Sequence, residues 1–98
     1  MTEYILLMHD DEVSEVHDDD WELYLQKLRD GGCFRGGSAI GNGECARKSG
    51  AIPEISRHLS GFIRIEAESL TQARSLLAGN PTFEAGGTVE IRELPRTS

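Results

Sequence analysis

The stretch "GFIRIEA", residues 61–67, alternates apolar and charged side chains over the length of one β-strand. Phe62, Arg64 and Glu66 fall on one face of that strand, and two isoleucines fall on the other. Such a strand suits a sheet that buries one face beneath helices and leaves the other face available to a different layer. This stretch therefore predicts a sheet with its helices on one side.

The first part of the chain predicts a strand followed by a helix. Residues 3–9, "EYILLMH", are apolar enough for a strand that is buried on both faces. Apolar side chains then recur at helical spacing between Trp21 and Leu28, with Asp18 or Asp19 as the expected N-cap.

Residues 33–48 carry the clearest hairpin signal in the sequence. Asn42 and Gly43 suit the two positive-φ positions of a type I′ turn, which predicts two short strands on either side. Gly36 and Gly37 form too short a run for a phosphate-binding loop, and they indicate a bulge or a close backbone approach.

The second half of the chain predicts a helix and a closing strand. Ser69 or Thr71 would cap a helix within residues 68–81, and "GTVEIREL", residues 87–94, alternates as a strand does. We predict the order β-α-β-β-α-β, with a hairpin in the middle. This order is typical of a ferredoxin-like α+β domain, here a single one over residues 1–98.

The uncovered face of the predicted sheet needs a second layer. A chain of 98 residues buries only about 60 to 70 % of its unfolded surface, so a partner subunit would help it. Packing sheet against sheet at a two-fold interface would bury Phe62 and its neighbours. We expect a homodimer with a barrel-like interior.

Charge is concentrated near the N-terminus. Eight of the 17 acidic residues lie between His9 and Glu22, where the chain has no Lys or Arg. Because no basic stripe is present, neither nucleic acid nor an anionic membrane surface is an expected partner. The short apolar run before His9 lacks the features of a signal peptide, and Cys33 and Cys45 lack a disulfide-like pattern, so we expect a cytoplasmic protein with reduced thiols.

The sequence resembles the YCII-related family of dimeric α/β barrels, also called the DGPF-domain family. "EYILLMHDDE", "KLRDGG", "RGGSAI" and "GGTVEIRELP" look like its opening strand, first-helix end, second strand and closing strand. "KSGAIPEISRHLSGFIRI", residues 48–65, is similar to its signature loop. Residues 49–52 stand in place of Asp-Gly-Pro-Phe, whereas the later pattern is kept by Glu54, Leu59, Gly61 and Phe62.

The resemblance implies a pocket and a suspected enzymatic activity. The founding branch of the family has a histidine near the start of the first helix, and that position looks like Trp21 here, while Asp30 near the helix end remains. Some DGPF members resemble partners of extracytoplasmic-function sigma factors or are fused to them, which implies a regulatory role instead.

Two stretches contain candidates for proton transfer. His9 ends the first strand beside several acids and His17, where an imidazole can act as a general base or a metal ligand, or simply lie in solvent. The "HDDD" run at 17–20 lacks the spacing of a calcium loop, so we predict no metal. Glu54 and His58 lie in the signature-like loop, either positioned for a ligand or exposed.

Arg64 interrupts an otherwise apolar strand. A buried guanidinium there requires an acid, a backbone oxygen or an anionic ligand. The alternative is a salt bridge at the dimer interface, to Glu66 or Glu90. Arg35, on the predicted second strand, raises the same question.

Two hypotheses follow. In the first, a homodimer processes a small anionic metabolite as a lyase or isomerase without a cofactor; the predicted catalytic residues are His9, Glu54 and His58, and the predicted ligand-binding residues are Trp21, Arg35 and Arg64. In the second, the protein is a non-catalytic interaction module. Its acidic face, residues 10–22, would then bind a basic partner such as a sigma factor.

Overall fold

The computed structural model describes residues 1–96, which form a ferredoxin-like α+β fold. The elements are β1 (Thr2–His9), α1 (Asp18–Asp30), β2 (Phe34–Ala39), β3 (Leu59–Ala67), α2 (Leu70–Ser75), α3 (Pro81–Glu84) and β4 (Val89–Leu94). The sheet order is β2-β3-β1-β4, and every pair of neighbouring strands is antiparallel. The fold class predicted from the sequence is confirmed.

One face of the sheet packs against the helices and forms the core. Alternate residues of β1 and β3 point into it, and Leu6 and Ile65 have no exposed surface. From the helix layer, Tyr24 and Leu28 of α1 and Ala73 of α2 are buried against them. Each large apolar side chain buried in this way stabilises the fold by roughly 1.5–3 kcal/mol.

The other face of the sheet, which we call the open face, carries half-buried and exposed side chains. Along β1 the burial alternates strictly, so the prediction that this strand is buried on both faces is wrong for the single chain. Ile5 lies between Arg64 on β3 and Arg92 on β4. The open face comprises Glu3, Ile5, Leu7 and His9 of β1, Phe62, Arg64 and Glu66 of β3, and Glu90 and Arg92 of β4.

The predicted hairpin at Asn42 and Gly43 is wrong. Residues 40–58 form neither strand nor helix, and β2 pairs with β3 across this long connection. Nearly every side chain in the connection is exposed, because the segment is rich in glycine and polar residues and has no apolar face to bury. The radius of gyration is 14.9 Å, against about 13 Å for a compact domain of this length.

The two glycines of β2 produce a bulge, as predicted. The register between β2 and β3 shifts between Phe34 and Gly37, and Gly36 adopts a φ of 108°. A Cβ atom on Gly37 would lie 2.5 Å from the carbonyl oxygen of Phe62. Only glycine therefore permits this approach of the two strands.

The helix caps agree with the predictions in part. Helix α1 begins at Asp18, so His17 occupies the N-cap position, without a side-chain hydrogen bond, in place of the expected aspartate. In α2 the hydroxyl of Ser69 accepts a hydrogen bond from the backbone N–H of Gln72, which selects Ser69 over Thr71. The short helix α3, capped by Asn80, was not predicted.

Candidate functional site

A cavity of about 510 Å³ lies between α1 and the β2–β3 side of the sheet, and we call it the α1–β3 cavity. Its apolar wall includes Trp21 and Leu25 from α1 and Phe34 from β2. This volume is within the range of small-molecule sites. The predicted ligand-binding residue Trp21 is thus part of a real concavity.

The cavity exists because the sheet beneath α1 lacks large side chains at this point. Gly37, Ala39 and Gly61 line it, and Ala39 is paired with Gly61 across the two strands. Elsewhere on the same face, leucine, isoleucine and tyrosine side chains fill the space below the helices. Three small residues that neighbour one another on the sheet therefore leave room for a ligand.

Charged groups of both signs line the α1–β3 cavity. Asp10 and Glu12 contribute carboxylates, and neither forms an ion pair within residues 1–96. Arg29 contributes a guanidinium whose central carbon lies 5.1 Å from the centroid of the Phe34 ring. A carboxylate can transfer a proton and a guanidinium can hold an anionic group, so the cavity combines both functions.

Sequence reasoning did not select Asp10, Glu12 or Arg29 as site residues. The alternation along the first strand could have identified Asp10, because it directs Met8 and Asp10 to the helix side of the sheet and His9 to the opposite side. Arg29 falls two turns after Trp21 on the same helix, which places both on one face.

His9 lies on the open face, where it meets a residue from the other end of the chain. Its Nε2 is 3.1 Å from Oε1 of Glu90, and Arg92 donates a hydrogen bond to the other oxygen of Glu90 at 3.1 Å. The rings of His9 and His58 contact each other edge to face, with centroids 4.8 Å apart. The fold thus brings His9 and His58, two of the predicted catalytic residues, into contact. It adds Glu90, which was not predicted to act in catalysis.

The carboxylate in contact with His9 comes from β4, and Asp11, which is near His9 in the sequence, binds Thr88 instead. Asp11 accepts hydrogen bonds from the backbone N–H and the hydroxyl of Thr88, both at 2.7 Å, and these bonds lower the pKa of Asp11. The pKa of Glu90 is also lowered, chiefly by its hydrogen bond with Arg92 and then by that with His9. The carboxylate in contact with His9 is therefore held in its ionised form.

Arg64 is not a buried guanidinium, which corrects the expectation from the sequence. Its side chain is 46 % exposed, contacts Glu3 at 3.4 Å, and donates a hydrogen bond to the carbonyl oxygen of Arg35 at 2.6 Å. Arg35 itself pairs with Glu66. The cross-strand register explains the choice of Glu3, because Ile5 faces Arg64 and Glu3 lies two residues along the same strand.

The six predicted site residues therefore do not share one pocket. Trp21 lines the α1–β3 cavity, while His9 and Arg64 lie on the open face. His58 contacts His9, and Arg35 pairs with Glu66 at the edge of the open face. Glu54 is exposed within the irregular connection. Within the described part of the chain, no group of three or more metal-ligating side chains is suitably placed for an ion.

The helix layer contains a second concavity, of about 410 Å³, between α1 and α3. Tyr24, at its base, is 2 % exposed and donates a hydrogen bond to the carbonyl oxygen of Leu76 at 2.8 Å. Burial raises the pKa of Tyr24 to about 12. This phenol belongs to the core.

Comparison with known proteins supports the fold. No protein-family model and no curated protein matches the chain. Among solved structures, it is similar to 5-chloro-2-hydroxyhydroquinone dehydrochlorinase from Burkholderia phenoliruptrix AC1100, determined in complex with 2,5-dihydroxybenzoquinone. The TM-score is 0.60 at 18 % sequence identity, and the match covers 97 % of this chain and 95 % of that one. At this identity the likeness shows the fold alone.

No helix among residues 1–96 has both the length and the apolar character that a membrane span requires.

Proposed function

We propose that this protein binds a small organic molecule in the α1–β3 cavity and processes it by proton transfer, as a lyase or isomerase without a cofactor. The observation that carries the proposal is the cavity itself, where an aromatic wall, two carboxylates and a guanidinium surround one space. The structural neighbour is an enzyme that acts on a substituted hydroquinone, which is compatible with a small-molecule role at the level of the fold.

The lining residues define the substrate class. Trp21 and Phe34 provide flat apolar surface for a ring or another planar group. Arg29 would pair with an anionic group on the same molecule. This ligand-binding role was predicted from the sequence for Arg35 and Arg64. Asp10 or Glu12 would remove a proton from carbon, and the electron pair of that bond would form a double bond to the neighbouring carbon as a second pair moves onto a carbonyl oxygen of the substrate or departs with a leaving group. The substrate is then a small anionic metabolite with a planar body.

Phenol and benzoate are suitable probes, because they present the same ring without and with a negative charge. Binding is measured by ligand-observed NMR. We expect Trp21→Ala to weaken both by about tenfold, since it removes the wall, and Arg29→Gln to weaken benzoate alone. Lys27→Gln is the matched control, because Lys27 lies on the same helix and bonds to the carbonyl oxygen of Ala78. Failure of both rings to bind, or equal effects of Arg29→Gln and Lys27→Gln, would reject the proposal.

We also infer that the chain is a divergent relative of the YCII-related family and, like its members, a homodimer. The open face supports this inference, because Ile5, Leu7 and Phe62 remain only half-buried in the single chain. Sedimentation velocity tests it. Leu7→Lys should give monomers, whereas Leu23→Lys, at a position 72 % exposed on α1, should not change the mass. A wild-type monomer would contradict the dimer.

A second candidate function is that of a cytoplasmic, non-catalytic module, and the acidic face favours it. None of the eight acids between residues 10 and 22 forms an ion pair within residues 1–96, and seven of them are exposed. A basic protein surface, such as that of a sigma factor, would neutralise them. If charge reversal of residues 18–20 abolishes co-purification of such a partner while benzoate binding is unchanged, this candidate is preferred.

A further inference from the structure

The contact between His9 and Glu90 lies outside the α1–β3 cavity and has a geometry of its own. The carboxylate of Glu90 is ionised and can only accept, so Nε2 of His9 carries the proton of their 3.1 Å hydrogen bond. Within residues 1–96 the other ring nitrogen, Nδ1, forms no hydrogen bond. A neutral imidazole held in this way has a free lone pair on Nδ1.

Two further features keep the ring in place. Arg92 holds the second oxygen of Glu90, so the carboxylate cannot rotate freely. His58 packs edge-on against the His9 ring and its carbonyl oxygen accepts a hydrogen bond from the backbone of Asp10. The His9 side chain is 19 % exposed in the single chain, so a small molecule would reach it from the barrel-like interior of the proposed homodimer.

We propose that His9 and Glu90 form a second acid–base site on the open face, in which His9 is the base and Glu90 is its positioning residue. Nδ1 takes a proton from a weakly acidic C–H or O–H group of a small ligand, and the electron pair of the broken bond stays on the ligand. The imidazolium that results is stabilised by the carboxylate at Nε2 and returns its proton to the ligand or to water. No other reactant is required.

The charged and titratable groups around His9 are consistent with this role. Glu90 and Arg92 face it from β4, His58 faces it from the segment before β3, and Asp11 lies in the loop that follows β1. Asp11 is engaged with Thr88, which leaves Glu90 as the carboxylate in contact with the ring. Glu90 is therefore the carboxylate that fixes the tautomer of His9.

The tautomer tests the orientation directly. The chain has three histidines, so a two-bond ¹H–¹⁵N spectrum of the wild type contains three imidazoles. We expect neutral His9 to carry its proton on Nε2 only, and Glu90→Ala to produce a mixture of tautomers while Glu93→Ala, at an exposed position on the same strand, does not. A mixture in the wild type, or a proton on Nδ1, would overturn the proposal.

Base activity is tested with 5-nitrobenzisoxazole, from which a protein base removes a carbon-bound proton as the ring N–O bond breaks to give a coloured phenolate. We expect His9→Asn to lower the rate at least tenfold and Glu90→Gln, which keeps an oxygen acceptor but not the charge, to lower it about threefold. His17→Asn is the matched control, since His17 is exposed at the start of α1. The proposal is contradicted if His9→Asn leaves the rate unchanged, or if His17→Asn lowers the rate as much as His9→Asn does. The tautomer readout does not depend on ligand binding in the α1–β3 cavity, and the rates are measured in the Trp21→Ala variant so that the cavity does not contribute to them.

Discussion

The two faces of this sheet are built from the same strands but carry different chemistry. The helix-covered face is apolar, except at the α1–β3 cavity. There three small residues leave space, and the charged side chains of Asp10, Glu12 and Arg29 line it. The open face is crossed by ion pairs that join neighbouring strands, and it holds His9 against Glu90. Stability is therefore concentrated on one face, while reactive groups occur on both.

The largest expected difference between the faces is in stability. Ile65→Ala should lower the free energy of unfolding by about 2–5 kcal/mol, because Ile65 is fully buried among the helices. Leu7→Ala, on the half-buried open face, should cost less than half as much in the single chain. Urea denaturation at a protein concentration where the chain is monomeric measures both. Equal losses in the monomer would contradict the difference in burial between the two faces.

Alkaline pH should weaken the helix-covered side through Tyr24. The folded-state pKa of about 12 lies above the value of about 10 in the unfolded chain, so the stabilising contribution is complete below pH 10. Between pH 10 and 12 only the unfolded chain loses the proton, and stability falls by up to about 2–3 kcal/mol. Tyr24→Phe lacks this effect. Its stability relative to the wild type should rise across that interval, and parallel curves would contradict the assignment.

A smaller effect is expected where β2 meets the cavity. Gly37→Ala places a Cβ atom against the carbonyl oxygen of Phe62 and should cost about 1–3 kcal/mol by forcing the strands apart. Gly41→Ala is the control, because that position has open space around it. Thermal unfolding distinguishes the two variants. No difference between them would show that the bulge adapts without cost.

The smallest effect is expected on the open face. Glu3→Gln removes the 3.4 Å contact with Arg64, but both side chains are partly exposed, so the loss should stay below about 1 kcal/mol and shrink in 1 M salt. Unfolding curves at low and high salt measure this. A large, salt-independent loss would contradict the partial exposure of the pair.

The sequence predicted the architecture because the strands and helices have clear periodicity. Alternation in "GFIRIEA" was enough to separate the buried isoleucines from Arg64 and Glu66. The hairpin prediction failed because Asn42 and Gly43 favour a turn only locally, while the flanking residues have no apolar face that would hold two strands together.

The site was predicted less well, because its residues meet only through the fold. His9 and Glu90 are 81 positions apart, and nothing near His9 in the sequence indicates that β4 supplies its partner. The cavity likewise depends on Gly37 and Gly61 facing α1 from neighbouring strands, which requires the β2–β3 register. Trp21 lines a cavity, and its separation from His9 follows only from their positions on opposite sides of the sheet.

The most direct test of this account is to map where a small ring binds. In a ¹H–¹⁵N titration with benzoate, we expect shifts in the indole N–H of Trp21, the only tryptophan, and in the backbone N–H of Gly37 and Gly61, with the imidazole signals of His9 unchanged. Shifts confined to His9 and the open face, with Trp21 unmoved, would contradict the claim that the ligand site lies beneath α1.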